Sequence, residues 1–194
     1  LWVTPSGATV KHLQVIEPLE KGFRVSETVT LPKELDDVAR IGINFELNKE
    51  LDQYTYFGVG PHESMPDRAI GRVGKYSSTV EKQLTDYIKP QECGGHVGVR
   101  WFEISDSPAG GLAKNARGIR IELDKPRMVT VLPVTSEALA DATHNIYVKR
   151  SGTTVVTIDA IHRGVGTASC GPDTLDQYKI KPGTYKFAWS ITKI

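Results

Sequence analysis

Apolar and polar residues alternate with a period of two over residues 23–31, 40–47, 97–104, 118–123, 127–132 and 184–191. In an extended chain that period puts one set of side chains on a buried face and the other in water, so each run is expected to be a half-buried antiparallel strand. An apolar-rich run at 153–161 and a short one at 177–180 add two further expected strands. Turn signals at Lys21–Gly22, Ser151–Gly152 and 181–183 separate the runs at the spacing of a sandwich. Helical pattern is scarce: residues 136–142 suit one short helix with Thr135 or Ser136 as its N-cap, and 78–83 suit a single turn. No internal repeat, linker or shift in composition divides the chain. The pattern therefore predicts an all-β fold, one large antiparallel β-sandwich over residues 1–194.

Composition narrows the function classes. The 194 residues carry 24 basic and 23 acidic side chains with no block of one sign, so the basic field that nucleic-acid binding uses is absent. No apolar run reaches the roughly 18 residues of a membrane-spanning helix, and no signal peptide opens the chain. The start at Leu1 in place of Met suggests a fragment, an excised domain or a processed product. Two cysteines, Cys93 and Cys170, are too few for a disulfide framework, and both are expected as free thiols in a reducing compartment.

Residues 162–175 form the most informative loop. Glycines at 164, 166 and 171 and a proline at 172 require backbone conformations that other residues avoid, and such loops on a rigid β scaffold are where binding tends to sit. Other candidate chemistry is weak. Cys93 and His96 have a ligand-like spacing, yet a structural zinc site needs four ligands and no second pair lies nearby. Residues 167–171 lack the spacing of a nucleophile elbow. Gly58–Gly60 and Gly164–Gly166 each lack the third glycine and the helix of a dinucleotide fingerprint. No pair of carboxylates is set apart by its neighbours. The residues by themselves lead to a β domain without a visible reactive centre.

Four ordered motifs carry a resemblance. They are Gly58, Gly60, Pro61, Glu63, Pro66, Asp67 and Arg68; then Tyr87, Pro90 and Glu92 with Arg100 following; then Thr143 and His144 after the short helix; and last the loop from His162 to Pro172 with Tyr185 and Trp189. Together they resemble the C-terminal, small-chain domain of glycoside hydrolase family two β-galactosidases along nearly the whole chain. The resemblance implies a galactose mutarotase-like sandwich whose first strands lie outside this chain. It implies a retaining hydrolase of terminal β-D-galactosyl residues, such as those of lactose, that uses two glutamates about 5 Å apart. Both glutamates and a magnesium site would belong to a separate (β/α)₈ barrel, for which this chain lacks the alternating helices. No cofactor is expected in this chain, and no catalytic residue. Its partners would be the remaining domains or a large subunit, with a galactoside substrate, in a parent that is a cytoplasmic homo-oligomer.

The resemblance also assigns roles. Relatives carry a Trp in the terminal loop that forms part of the sugar-binding wall; here Cys170 stands at that position beside Ser169, so these two are the expected substrate contacts. An indole covering about 50 Å² of sugar would contribute roughly 1 kcal/mol, and a thiol far less, which implies weaker stacking and a roomier pocket. Glu63, Asp67 and Arg68 are expected to form one ion network fixing the loop after Gly58. His144 and His162 are expected to be hydrogen-bonded scaffold, and Trp101 and Trp189 to be core. A stand-alone carbohydrate-binding module would need exposed aromatic platforms. A mutarotase-like epimerase would need a Glu base and a His acid on one concave face, and no spacing here selects such a pair.

Overall fold

A computed structural model of the chain describes residues 2–4, 7–106, 117–167 and 171–194. Among the described residues ten strands run in chain order: β1 Trp2–Val3, β2 Thr9–Leu19, β3 Gly22–Leu31, β4 Arg40–Asn48, β5 Gln53–Gly60, β6 Arg72–Thr79, β7 Gly95–Ser105, β8 Gly118–Leu132, β9 Thr153–His162 and β10 Gly183–Lys193. One six-residue helix, α1 Ser136–Asp141, begins as expected at Thr135, whose hydroxyl accepts the Ala138 N–H at 3.1 Å. All pairings are antiparallel. The main path is β1-β2-β3-β10-β8-β7-β5-β6, and β9 joins β8 and carries β4.

The sheet becomes a sandwich because β8 changes partners along its length. Its first half, Ile119–Leu123, pairs with β10, whereas Met128–Leu132 pairs with β9. The sequence suggests two strands here; the structure makes them one strand of 15 residues. Asp124, Lys125 and Pro126 lie between the two ladders, where a proline without an N–H costs no ladder bond. Arg127 closes the gap that the exchange opens. Its buried guanidinium donates to Ala160 O in β9 at 2.9 Å and to Lys186 O in β10 at 3.2 Å. It also grips Asp124 in a bidentate pair at 3.0 and 2.9 Å.

Folding β4 and β9 over β3 and β10 encloses the main core. Val25, Phe187 and Trp189 from one layer meet Ile43, Phe45, Val156 and Ile158 from the other. Phe45 stacks on Trp189 with ring centroids 5.8 Å apart. Trp189 is thus a core residue, as expected, but Trp101 is not. Pairing is irregular between Val99 and Trp101, where β7 crosses the β8 exchange, and Phe102 takes the buried position. Trp101 stands half-buried on the outer face, stacked with Phe57 and covered by the Arg120 guanidinium at 4.2 Å. The expected strand at 177–180 is instead a 3₁₀ turn, Asp176–Tyr178, followed by a single bridge from Ile180 to Val38. Strands β1, β2, β5 and β6 are additions to the expected set.

Candidate functional site

The loop between β9 and β10 is held from below by one carboxylate. Asp67 accepts the backbone N–H of Val165 at 3.1 Å, that of Gly166 at 2.7 Å and the Thr174 hydroxyl at 3.0 Å. Burial pushes the Asp67 carboxyl up, but the hydrogen bonds from Gly166, Thr174 and Val165 outweigh it and hold the pKa below the ordinary value. Two glycines make this grip possible. A Cβ on Gly164 would come within 2.4 Å of Thr174 Oγ1 and 2.8 Å of the Asp67 carboxyl, and Gly166 has φ of +59°.

A second clamp holds the loop from the side. Arg163 makes a bidentate pair with Asp37 at 2.8 and 2.9 Å and reaches Asp173 at 2.6 Å, so its guanidinium ties the start of the loop to its end. Its hydrogen bond lowers the pKa of Asp37 and of Asp173 alike. Lys179 adds a contact to Asp173 at 3.6 Å. The neck then narrows where Thr167 donates twice to Pro172 O, from its N–H at 3.2 Å and its hydroxyl at 3.1 Å. Ser169 and Cys170, the expected substrate contacts, fall outside the described residues.

Glu63, Asp67 and Arg68 do not form the single ion network that the sequence suggests. Glu63 takes Arg68 at 2.7 Å, the Thr85 hydroxyl at 2.8 Å, the Gly94 N–H at 2.9 Å and the Tyr87 hydroxyl. Burial raises its pKa, yet the Tyr87, Gly94 and Thr85 bonds and the Arg68 charge bring it below the ordinary value. Asp67 turns the other way, to the 163–174 loop. Two carboxylates four positions apart therefore fasten one turn to two separate segments, because the bridge between Met65 and Arg68 reverses the chain between them. Ser64 adds to this stitching, donating its N–H to Gly95 O at 2.7 Å and accepting the Val97 N–H at 2.9 Å.

Behind the loop base sits a cluster that sequence reasoning did not single out. Arg40 pairs with the fully buried Asp159 at 3.0 and 2.8 Å and reaches Glu92 at 3.3 Å. The His162 Nδ1–H donates to Arg163 O at 2.5 Å, and Nε2 faces Glu92 at 3.9 Å. Arg40 and Asp159 also line a cleft of 480 Å³ with Asn44, Glu46 and Thr157. His144 is no part of this cluster: it is exposed, edge-on to Tyr147, and its side chain caps no turn. Glu92 lies in a motif, but nothing in the sequence pairs Arg40 with Asp159, which are 119 residues apart.

Cys93 and His96 diverge in the fold. The free Cys93 thiol packs with Leu132, Val134 and Leu139, and burial pushes its pKa up to about 11. His96 stacks on Tyr56 and meets Gln83 Oε1 at 2.7 Å; burial drives its pKa down to about 4, so it is neutral at pH 7. Among the described residues no three His, Cys, Asp or Glu side chains are grouped to hold a metal. The strong polar contacts are satisfied bidentate pairs, which hold backbone in place.

Fold and site together define a large antiparallel β-sandwich that presents one braced loop. The chain matches the family model described as the β-galactosidase small chain over residues 8–191, and it belongs to that family. It is 30% identical over 161 residues to a β-galactosidase of Actinobacillus pleuropneumoniae, which covers 82% of this chain and 15% of that protein. Identity is 36% over 142 residues to the β-galactosidase of Lactobacillus delbrueckii subsp. bulgaricus, covering 73% and 13%, respectively. For the β-galactosidase of Kluyveromyces lactis it is 32% over 157 residues, covering 80% and 14%. The chain thus spans about one-seventh of the length of these relatives.

Proposed function

We propose that these 194 residues are the non-catalytic sandwich part of a β-galactosidase that hydrolyses terminal β-D-galactosyl residues. The 163–174 loop closes one wall of the sugar pocket, with Cys170 and Ser169 toward the substrate. The carrying observation is the double anchoring of that loop by Asp67 and Arg163, in a chain that matches the small-chain family almost end to end. A wall so braced restricts water and fixes sugar orientation without supplying a reacting group. Two glutamates elsewhere in the parent act as nucleophile and acid/base. The parent's magnesium is placed with them. The remaining domains or a large subunit are the partners, and the parent is a cytoplasmic homo-oligomer.

Kinetics on a chromogenic β-galactoside test this reading. The purified chain turns over nothing, and in the parent Cys170→Ala changes KM or acceptor preference with little change in melting temperature. Turnover by the chain alone, or unchanged kinetics with a lowered melting temperature, refutes the assignment.

A further inference from the structure

Beside the Glu63 turn lies a pocket of 380 Å³ that plays no part in bracing the 163–174 loop. Its floor comes from β5 and β7, where buried His96 stacks on buried Tyr56 with ring centroids 4.2 Å apart. Tyr76 of β6 continues the row, its ring 5.5 Å from that of Tyr56. Ser78 and Gln83 add to the wall, and Lys82 stands exposed at the rim. Small-molecule sites span about 300–1,000 Å³, so this one suits a small occupant.

One hydroxyl in this pocket does nothing for the fold. Tyr56 is 1% exposed, yet its Oη has no hydrogen-bond partner among the described residues. A buried phenol in that state costs free energy, and native structures keep few of them. Tyr76 differs: its hydroxyl donates to Arg72 O at 2.9 Å, which leaves its ring for the wall. Gln83 meets His96 Nε2 through Oε1 at 2.7 Å and keeps its amide N–H groups to donate, while the Ser78 hydroxyl can donate or accept. Glu63 borders the pocket with its carboxylate already taken by Arg68, Thr85, Tyr87 and Gly94. An anion would face that carboxylate, and a cation would find it already neutralised. A neutral ligand rich in hydroxyls meets neither cost.

We propose that this pocket binds one hexopyranose, with an apolar face of the ring against Tyr56 and Tyr76 and a ring hydroxyl hydrogen-bonded to Tyr56 Oη. The aromatic row supplies apolar contact area, and Ser78 and Gln83 supply the further polar contacts that orient a sugar. Every group invoked belongs to this chain, so the site does not depend on what the 163–174 loop does. Only the choice of D-galactose as first probe rests on the functional reading, in which it is the sugar released.

Amide hydrogen exchange over residues 72–85 tests it, measured by mass spectrometry on the intact parent polypeptide with D-galactose, D-glucose and inorganic phosphate as separate probes. Strand β6 ends the sheet path, so its amides open locally and report what closes over them. Saturable slowing is expected with at least one sugar, half-complete at a concentration on the order of 1 mM, as for a ligand of about a dozen heavy atoms. At ten times that concentration exchange should be about tenfold slower. Tyr56→Phe removes only the hydroxyl; it should leave the melting temperature within about 2 °C and weaken sugar binding about tenfold. No slowing by either sugar up to about 50 mM overturns the proposal. So does slowing by phosphate alone, which would mark an anion site. A Tyr56→Phe variant that melts lower while its sugar affinity is intact also overturns it, because the hydroxyl would then serve the fold. Galactosidase activity is not the readout, so failure of the functional reading leaves this result standing.

Discussion

Removing the Asp67 carboxylate tests whether the 163–174 loop is braced or merely adjacent. Asp67→Ala deletes the acceptor of three hydrogen bonds, from Val165 N–H, Gly166 N–H and the Thr174 hydroxyl. Each bond to a charged group contributes about 1.5–3 kcal/mol when buried, but water can replace part of it at this half-buried site, so a total of about 2–3 kcal/mol is expected. The loss should appear locally, as opening of the loop, before it appears in global unfolding. At about 1.4 kcal/mol per factor of ten, the Val165 and Gly166 amides should exchange about 30- to 150-fold faster. Asp67→Asn keeps one acceptor and should give a smaller increase.

The pH dependence carries a sign. The folded pKa of Asp67 lies below its ordinary value, so its stabilisation is complete above the ordinary carboxylate range and is lost as pH falls through the folded pKa. Beyond the intrinsic pH dependence of exchange, loop opening should therefore increase under acid in the native chain and stay flat in Asp67→Ala. Unchanged amide exchange in that variant would refute the claim that this carboxylate holds the loop.

Three further outcomes are expected. Arg127→Met leaves Ala160 O and Lys186 O without their donor at the β8 exchange, with Asp124 unpaired beside them. It should cost about 3 kcal/mol, a fall of roughly 6–12 °C in melting temperature, and a change below about 2 °C would contradict the gap-closing role. His96 has a folded pKa of about 4 against an ordinary 6.5. Its contribution, up to about 3 kcal/mol, is present above pH 6.5 and lost toward pH 4; denaturant titrations should show that slope and its absence in His96→Phe. A methyl added in Gly60→Ala would lie 2.2 Å from Tyr56 Oη and 2.7 Å from the Tyr76 ring. Overpacking there should destabilise by at least about 1–3 kcal/mol in a thermal melt, and a neutral result would mean that both rings can move freely.

Much of the strand content was legible because a half-buried strand repeats every two residues. The runs at 23–31, 40–47 and 184–191 fall within β3, β4 and β10. The reading failed where that period was broken or hidden. Trp101 looked like a core residue because its run alternates, yet the pairing irregularity beside Val99 gave the buried position to Phe102. Strand β2 lacked a clear signal because neither of its faces is buried, so nothing in this chain imposes an alternation on it. The 177–180 run is mixed because only Ile180 is buried and only one bridge holds it.

The site divides in the same way. Glycines at 164 and 166 marked the loop, and their need for close approach and positive φ is a local property of the backbone. Its anchors were invisible. Asp67 stands beside Arg68 in sequence, and adjacent opposite charges suggest a pair, but the turn through Met65 sends one to Glu63's side and the other to the loop 98 residues away. The sequence by itself determined that the chain is all-β, that its charge is balanced and that a glycine loop joins the last two strands, since each follows from local composition and period. Which carboxylate meets which cation, and where β8 leaves β10 for β9, only the tertiary structure decided. Those contacts join residues distant along the chain, and no local pattern encodes which distant group will arrive.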